Sequence, residues 1–340
     1  MDQNKSLGNG RDLYWDSLKF ILIFLVVLGH TLEINIPDGS VNRAIYNTIY
    51  LFHMPLFVFV SGRFSHIKDR DKYKKGILRL IETYVVFQIV YSLILPLVKG
   101  EELLWKYLIV PNWIMWYLMC LIWWRLFIYF TPPSLLKTKR NILLLASILT
   151  CVLGGFIPIG HPFEVQRTLV FLPFFLMGYY STKFDVRSAL ERIPVWSAIV
   201  LFIGTFFIFF FFLNFNLSWL LSAGQHFWET NPSTWIRIIS RIIYLPFALG
   251  GIVMAMRLVP SIDVFSRWGR ETLFIFIFHP FVLEIFKYFA GKGLLDVSQP
   301  LLYLYSILVI GVLLMLAKVG AIKNLLTPIS NYSIKKCKYV

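Results

Sequence analysis

Ten residues separate Lys19 from His30 in the otherwise apolar run Asp16-Ser-Leu-Lys-Phe-Ile-Leu-Ile-Phe-Leu-Val-Val-Leu-Gly-His30. Eleven helical steps bring the two side chains to within about 20° of one face, roughly 16 Å apart along the axis. An ionisable group inside a membrane-length helix is costly and marks function by default. An imidazole titrates near neutrality and suits general-base chemistry. Glu33 follows three residues later on a neighbouring face, where it would orient or charge-balance the ring. The plainer reading of His30 is a hydrogen bond between helices. That of Lys19 is an anchor snorkelling to the interface, with Asp16 as its partner. At a separation of roughly 16 Å, Lys19 and His30 do not share one small group, but they suit opposite ends of an extended ligand.

A second stretch reads His53-Met-Pro-Leu-Phe57-Val-Phe-Val-Ser61-Gly62-Arg63. Four-residue spacing puts His53, Phe57 and Ser61 on one helical face, and Pro55 is expected to kink the helix or free a carbonyl. Ser61-Gly62 permits close backbone approach, by a ligand or by another helix. Other polar groups near membrane-length segments are Glu164 and Arg167, spaced to pair, and His279-Pro280, expected to interrupt its helix and followed by Glu284 and Lys287. Trp113, Trp116 and Tyr117 read as an interfacial aromatic belt, with Trp116 the alternative stacking platform for a sugar. The phenylalanines from Phe206 to Phe212 are expected to face lipid. No Walker loop, dinucleotide fingerprint, HExxH or EF-hand pattern occurs, and neither a metal nor nucleic acid is expected.

The elements that must position these residues are membrane helices. The 340-residue chain is 58% hydrophobic and 15% charged, where a soluble globular domain is about a quarter charged. The fold class is therefore all-α, a polytopic integral membrane protein. Taking roughly twenty apolar residues per span, ten segments stand out: 17–35, 46–62, 78–98, 112–130, 141–158, 167–181, 194–213, 238–257, 271–289 and 300–317. Residues 1–340 read as one membrane domain with a short N-terminal segment, 1–16, and a basic tail, 318–340. The first segment lacks a small-residue cleavage site and reads as a retained helix. Cys120, Cys151 and Cys337 show no metal or disulfide spacing. The 33 lysines and arginines, which outnumber the acidic residues to give a net charge of +15, distribute as 23 on one side of these segments and eight on the other, with Lys19 and Arg125 left within or near spans. Lys and Arg collect in cytoplasmic loops, so both termini are expected inside, with Lys19 toward the inner face and His30 toward the outer. The densest basic run, Arg63 to Lys75, reads either as a loop touching anionic headgroups or as a site for a phosphorylated cytosolic compound.

These motifs resemble those of the membrane-bound acyltransferase-3 family. Lys19-x10-His30 is similar to its Arg/Lys-x10-His motif, and Leu-Phe-His53-Met-Pro-Leu-Phe-Val-Phe-Val-Ser61-Gly62 to its second-helix motif, closest to the branch described as fucose 4-O-acetylases and related acetyltransferases. Pro111-Asn-Trp-Ile-Met-Trp116-Tyr-Leu, Arg167-Thr-Leu-Val-Phe-Leu-Pro-Phe-Phe-Leu-Met-Gly178 and Thr272-Leu-Phe-Ile-Phe-Ile-Phe-His279-Pro also resemble family segments. The chain departs from the pattern at Glu82-Thr83-Tyr84, where members often have Ile/Leu-Pro-Tyr, and the C-terminal esterase-like domain of some members does not appear in this sequence.

The resemblance implies transfer of an acyl group, usually acetyl, from cytosolic acyl-CoA to a hydroxyl of a surface glycan or its lipid-linked precursor, at a bacterial cell membrane. His30 would be the base, with Glu33 and His53 beside it. Lys19, Ser61, Gly62 and Arg63 would hold the donor, and Trp116, Glu164, Arg167 and His279 the acceptor. A covalent acyl-histidine is the alternative route. The competing class is a transporter or flippase with His30, Glu33 and Lys19 as a relay, against which stands the lack of an internal repeat.

Overall fold

The computed structural model describes residues 6–7, 11–99, 110–154, 162–217, 220 and 234–319. Cys337 and nearly all of the basic tail lie outside them. Among the described residues the only strands are the two-residue partners Ser6–Leu7 and Arg11–Asp12. The rest of the regular structure is helical: α1 Leu13–Leu32, α2 Val41–Arg63, α3 Arg70–Lys99, α4 Trp116–Phe130, α5 Pro133–Thr138, α6 Arg140–Leu153 and α7 Val165–Ser181. Then come α8 Val186–Glu191, α9 Val195–Phe211, α10 Thr234–Leu258, α11 Asp263–Gly269, α12 Thr272–Gly291 and α13 Gln299–Leu316.

Each of the ten expected segments carries a helix. Among the described residues seven are long and apolar enough to cross a membrane: α1, α2, α3, α4 with the 3₁₀ turn Trp113–Met115 before it, α10, α12 and α13. The other three, α6, α7 and α9, have 14, 17 and 17 residues; at 1.5 Å per residue, 17 residues reach about 25 Å. The protein is a multi-pass membrane protein. Leu145, Trp196, Phe211, Ile307 and Met315 point outward, as side chains in contact with lipid do. The phenylalanine run does not all follow this pattern. Phe207, Phe211 and Phe212 are exposed, but Phe209 is buried, because helical periodicity turns one member of any such run inward.

The chain divides into two compact units. One comprises Met1–Val60, Ser181–Ser222 and Ile239–Ala317, the other Ser61–Tyr180, Ala223–Ile238 and Lys318–Val340. In the first, α1 lies against α11, α12 and α13. Its start is fixed by Asp12, whose side chain accepts from the Tyr14 N–H at 2.9 Å. Leu18, Leu22, Ile23, Val27 and Leu32 are fully enclosed. Lipid is as apolar as these side chains, so close fit and polar ties, rather than water exclusion, hold such helices together. Tyr14 donates to the Met256 carbonyl at 2.6 Å, Asn47 to the carbonyls of Leu213 and Phe215 at 3.1 Å, and Tyr303 to Asn42 at 2.6 Å. Gly269 closes the junction of α11 with α1. A Cβ there would stand 1.9 Å from the Asp16 carbonyl oxygen.

In the second unit α3 lies along α4. Gln88 accepts from the Asn112 backbone N–H at 3.0 Å, and the Asn112 amide donates to Ser92 at 2.8 Å. These bonds fix the entry into α4. Trp124 stacks on Phe175 and donates to the Thr168 carbonyl at 2.9 Å, tying α4 to α7.

Two prolines are absorbed rather than disruptive. α2 runs unbroken past Pro55, and α12 continues from Thr272 to Gly291 through Pro280, correcting the expected interruption at His279-Pro280. A proline in a helix withholds one N–H from the carbonyl four residues back, and neighbouring helices of a membrane bundle tolerate that loss. The basic run is likewise not all loop: α3 begins at Arg70, capped by Asp69, whose carboxylate accepts from the Asp71 and Lys72 N–H groups at 3.0 Å.

Candidate active site

His30 occupies the last turn of α1, and Glu33 is the residue that caps the helix, its N–H bonded to the Gly29 carbonyl. A helix C-terminus favours a cation, which suits an imidazole that must accept a proton. His30 Nδ1 donates to Glu33 Oε2 at 3.1 Å. The carboxylate can only accept, so Nδ1 carries the proton and Nε2 is the basic nitrogen. The other carboxylate oxygen, Oε1, accepts from two phenols of α2, Tyr46 and Tyr50, each at 2.9 Å. The two tyrosine rings stack with centroids 3.8 Å apart. His30 remains 17% exposed at its side chain and Glu33 32%, so the pair is reachable by a substrate.

Two further histidines flank this pair within the same unit. The His279 ring stacks on that of His30 with centroids 5.5 Å apart and planes 19° from parallel. It is fully buried, and its Nδ1 donates to the Ile275 carbonyl at 3.0 Å. His53 is 2% exposed, donates from Nδ1 to the Ile49 carbonyl at 2.8 Å, and sits edge-on to Tyr50. Both rings form a buried wall behind His30. α12 carries the His279 side chain inward, against His30.

Lys19 pairs with Asp16 at 2.9 Å, one turn away on α1. The carboxylate is nearly buried at 9% side-chain exposure, while Lys19 keeps 28%. Removing the cation strands that carboxylate. Lys19→Ala is expected to destabilise the protein by about 1–3 kcal/mol, the usual cost of an unsatisfied buried polar group. An adjacent Asp16→Asn change should recover most of the loss. Thermal unfolding of the two variants in detergent checks this; equal melting points for wild type and Lys19→Ala would contradict it.

The remaining expected residues fall in the second unit. The Ser61 hydroxyl is hydrogen-bonded to that of Tyr117. A Cβ on Gly62 would lie 2.0 Å from the Phe175 carbonyl oxygen, so the close approach that glycine permits is made by α7, not by a ligand. Arg63, the last residue of α2, is partly exposed. Arg125 of α4 lies near Gly76, with its Nη1 4.0 Å from where a Cβ would stand. Glu164 and Arg167 pair at 3.1 Å, and the guanidinium lies over the Trp116 ring, 5.0 Å from its centroid. Glu164 is only 3% exposed. Burial pushes its carboxyl above the ordinary range, with Arg167 acting against that shift. The backbone here is strained: Phe163 and Glu164 have φ of 55° and 51°, and Trp113 has 34°. Non-glycine residues seldom adopt that region, and strain of this kind gathers at functional sites.

Sequence reasoning missed Tyr46 and Tyr50, and it read Tyr117 as part of an interfacial belt, where the structure buries it with its hydroxyl bonded to Ser61. The available signal for the first two was their four-residue spacing, which places both on one face of α2. Among the described residues, no group of three or more His, Cys, Asp and Glu is placed to hold a metal ion.

Comparison with known proteins bears on what this site does. Two nodulation proteins NolL match in part. That of Mesorhizobium japonicum is 37% identical over 100 residues, 28% of this chain and 25% of the relative. That of Sinorhizobium fredii is 47% identical over 58 residues, 16% of each. The matched stretches thus cover a quarter or less of those relatives' own length. No solved structure matches. The model of the acyltransferase-3 family, described as an acyltransferase domain, matches residues 12–319. Because that match takes in the histidine site and all ten expected segments, the chain belongs to the acyltransferase-3 family.

Proposed function

We propose that the protein is an O-acetyltransferase of the cell membrane that moves acetyl from cytosolic acetyl-CoA to a hydroxyl of a bacterial surface glycan or its lipid-linked precursor. The observation that carries this reading is the His30–Glu33 pair at 3.1 Å, partly exposed, inside a chain matched by an acyltransferase family from residue 12 to 319. His30 Nε2 takes the proton of the sugar hydroxyl as its oxygen attacks the thioester carbonyl. The tetrahedral adduct collapses, the C–S bond breaks, and the leaving CoA sulfur recovers the proton from the imidazolium. The products are the acetyl ester and free CoA thiol. Glu33 holds the ring and balances its charge while the proton is on it.

The donor carries phosphates, which suit either Lys19 of the first unit or Arg63 and the cations of α3 from Arg70 to Lys75 of the second. Trp116, Glu164 and Arg167 offer a ring face and a charge pair to an acceptor sugar. The fucose 4-O-acetylase branch is the narrower reading, resting on the second-helix motif alone. Deleting the gene should remove base-labile acetyl esters from the surface glycan, and a plasmid copy should restore them; mass spectrometry of the purified glycan before and after mild base reads the difference. Unchanged acetylation, with loss of a solute uptake or lipid-export activity instead, would favour the transporter.

A further inference from the structure

Glu33 is held from three directions, and only one of them is His30. Its Oε1 takes two phenolic O–H bonds, from Tyr46 and Tyr50, at 2.9 Å each. Its Oε2 is the oxygen that receives His30 Nδ1–H. Two donors on one oxygen fix the rotation of the carboxylate, because turning it would break both bonds at once. The tyrosines themselves are not loose. Both are buried, their rings stack at 3.8 Å, and His53 closes on Tyr50 from the far side with centroids 4.6 Å apart. Room for Tyr50 across α1 comes from Gly29, the residue before His30; a Cβ there would stand 2.6 Å from the Tyr50 ring.

We infer that Tyr46 and Tyr50 are positioning residues for acyl transfer, locking the Glu33 carboxylate in the orientation that directs His30 Nε2 at the acceptor hydroxyl. This rests on the reading of His30 as the base and adds two residues of α2 to the machinery. The physical basis is that a phenol donating to a carboxylate makes a charge-assisted bond, stronger than one between neutral groups. Two such bonds on Oε1 leave Oε2 a single remaining task, to accept the Nδ1–H of His30. Tyr46 also has Arg43 over its ring at 5.8 Å, and Arg43 is paired with Asp38. The dyad is thus tied to the loop between α1 and α2.

The test uses the full chain in nanodiscs, with acetyl-CoA as donor and base-de-esterified surface glycan of the source cells as acceptor. The double variant Tyr46→Phe/Tyr50→Phe keeps both rings and loses both hydroxyls. Its kcat should fall about ten- to a hundredfold, by analogy with the loss of the outer-shell partners that orient metal-ligating histidines, with the KM for acetyl-CoA unchanged. In a Glu33→Ala background the same pair of changes should cost nothing more, since the group they hold is gone. The single variants, each losing one of the two bonds, carry the same test should the double variant not fold. Wild-type kcat in the tyrosine variants, alongside an inactive His30→Ala, would overturn the tyrosine role and leave the base in place. The same fold-loss in the Glu33→Ala background would also overturn it, as the sign of a structural role only. A fully active His30→Ala would overturn the reading of the base and the tyrosine role with it.

Discussion

His30→Ala is expected to lower acetyl transfer by about a hundred- to ten-thousandfold, the range that a positioned general base contributes, while acetyl-CoA still binds. Two features make the expected loss large and specific. The ring has its Nδ1–H held by Glu33, so its removal leaves the reacting hydroxyl without a base whose tautomer is fixed. It also sits at a helix end, where the imidazolium formed during the reaction is favoured by the last carbonyls. The fold should survive, because the side chain is partly exposed and the wall behind it, His279 and His53, is anchored to the carbonyls of its own helices. Isothermal titration with acetyl-CoA and a parallel transfer assay separate the two effects. Joint loss of binding and transfer would instead make His30 a donor ligand.

The second large effect is on stability. Gly269→Ala should destabilise the first unit by about 3 kcal/mol, at the upper end of what overpacking costs. The added methyl would meet the Asp16 carbonyl oxygen at 1.9 Å and its carbon at 2.7 Å. Both are backbone atoms of a helix and cannot swing aside as a side chain would. Relief requires α11 to move off α1, whose other end carries His30 and Glu33. Gly204→Ala is the control. Nothing lies within 4 Å of a Cβ at that position, and alanine in a helix gains up to about 1 kcal/mol over glycine. Thermal unfolding in one detergent should rank Gly204→Ala at or above wild type and Gly269→Ala well below; equal melting points for the two would contradict the tight junction.

The helices were legible because bilayer-length apolar runs announce themselves, but their ends were not. α2 begins at Val41, not 46, since Asn42, Arg43 and Asn47 look unsuited to a membrane and yet are buried and bonded within the protein. α3 begins at Arg70, not 78, because a hydropathy reading discounts the charged turns that Asp69 caps. At the site, His30 and Glu33 could be paired from their three-residue spacing alone. The tyrosine bonds could not. Tyr46 and Tyr50 are 13 and 17 positions from Glu33, and sequence gives no means of choosing which face of α2 meets α1. Ser61-Gly62 shows the opposite limit: its two readings, ligand approach or helix approach, differ only in what fills the space, and α7 fills it.

The most direct measurement is transfer of radiolabelled acetyl from acetyl-CoA to de-esterified glycan by the purified protein, run beside Glu33→Gln and His30→Ala. The expected result is an acetyl ester formed one for one with free CoA thiol, slowed in Glu33→Gln and lost in His30→Ala. Ester formation by His30→Ala at the wild-type rate would contradict the proposed chemistry, as would wild-type protein that binds acetyl-CoA and never acetylates the glycan.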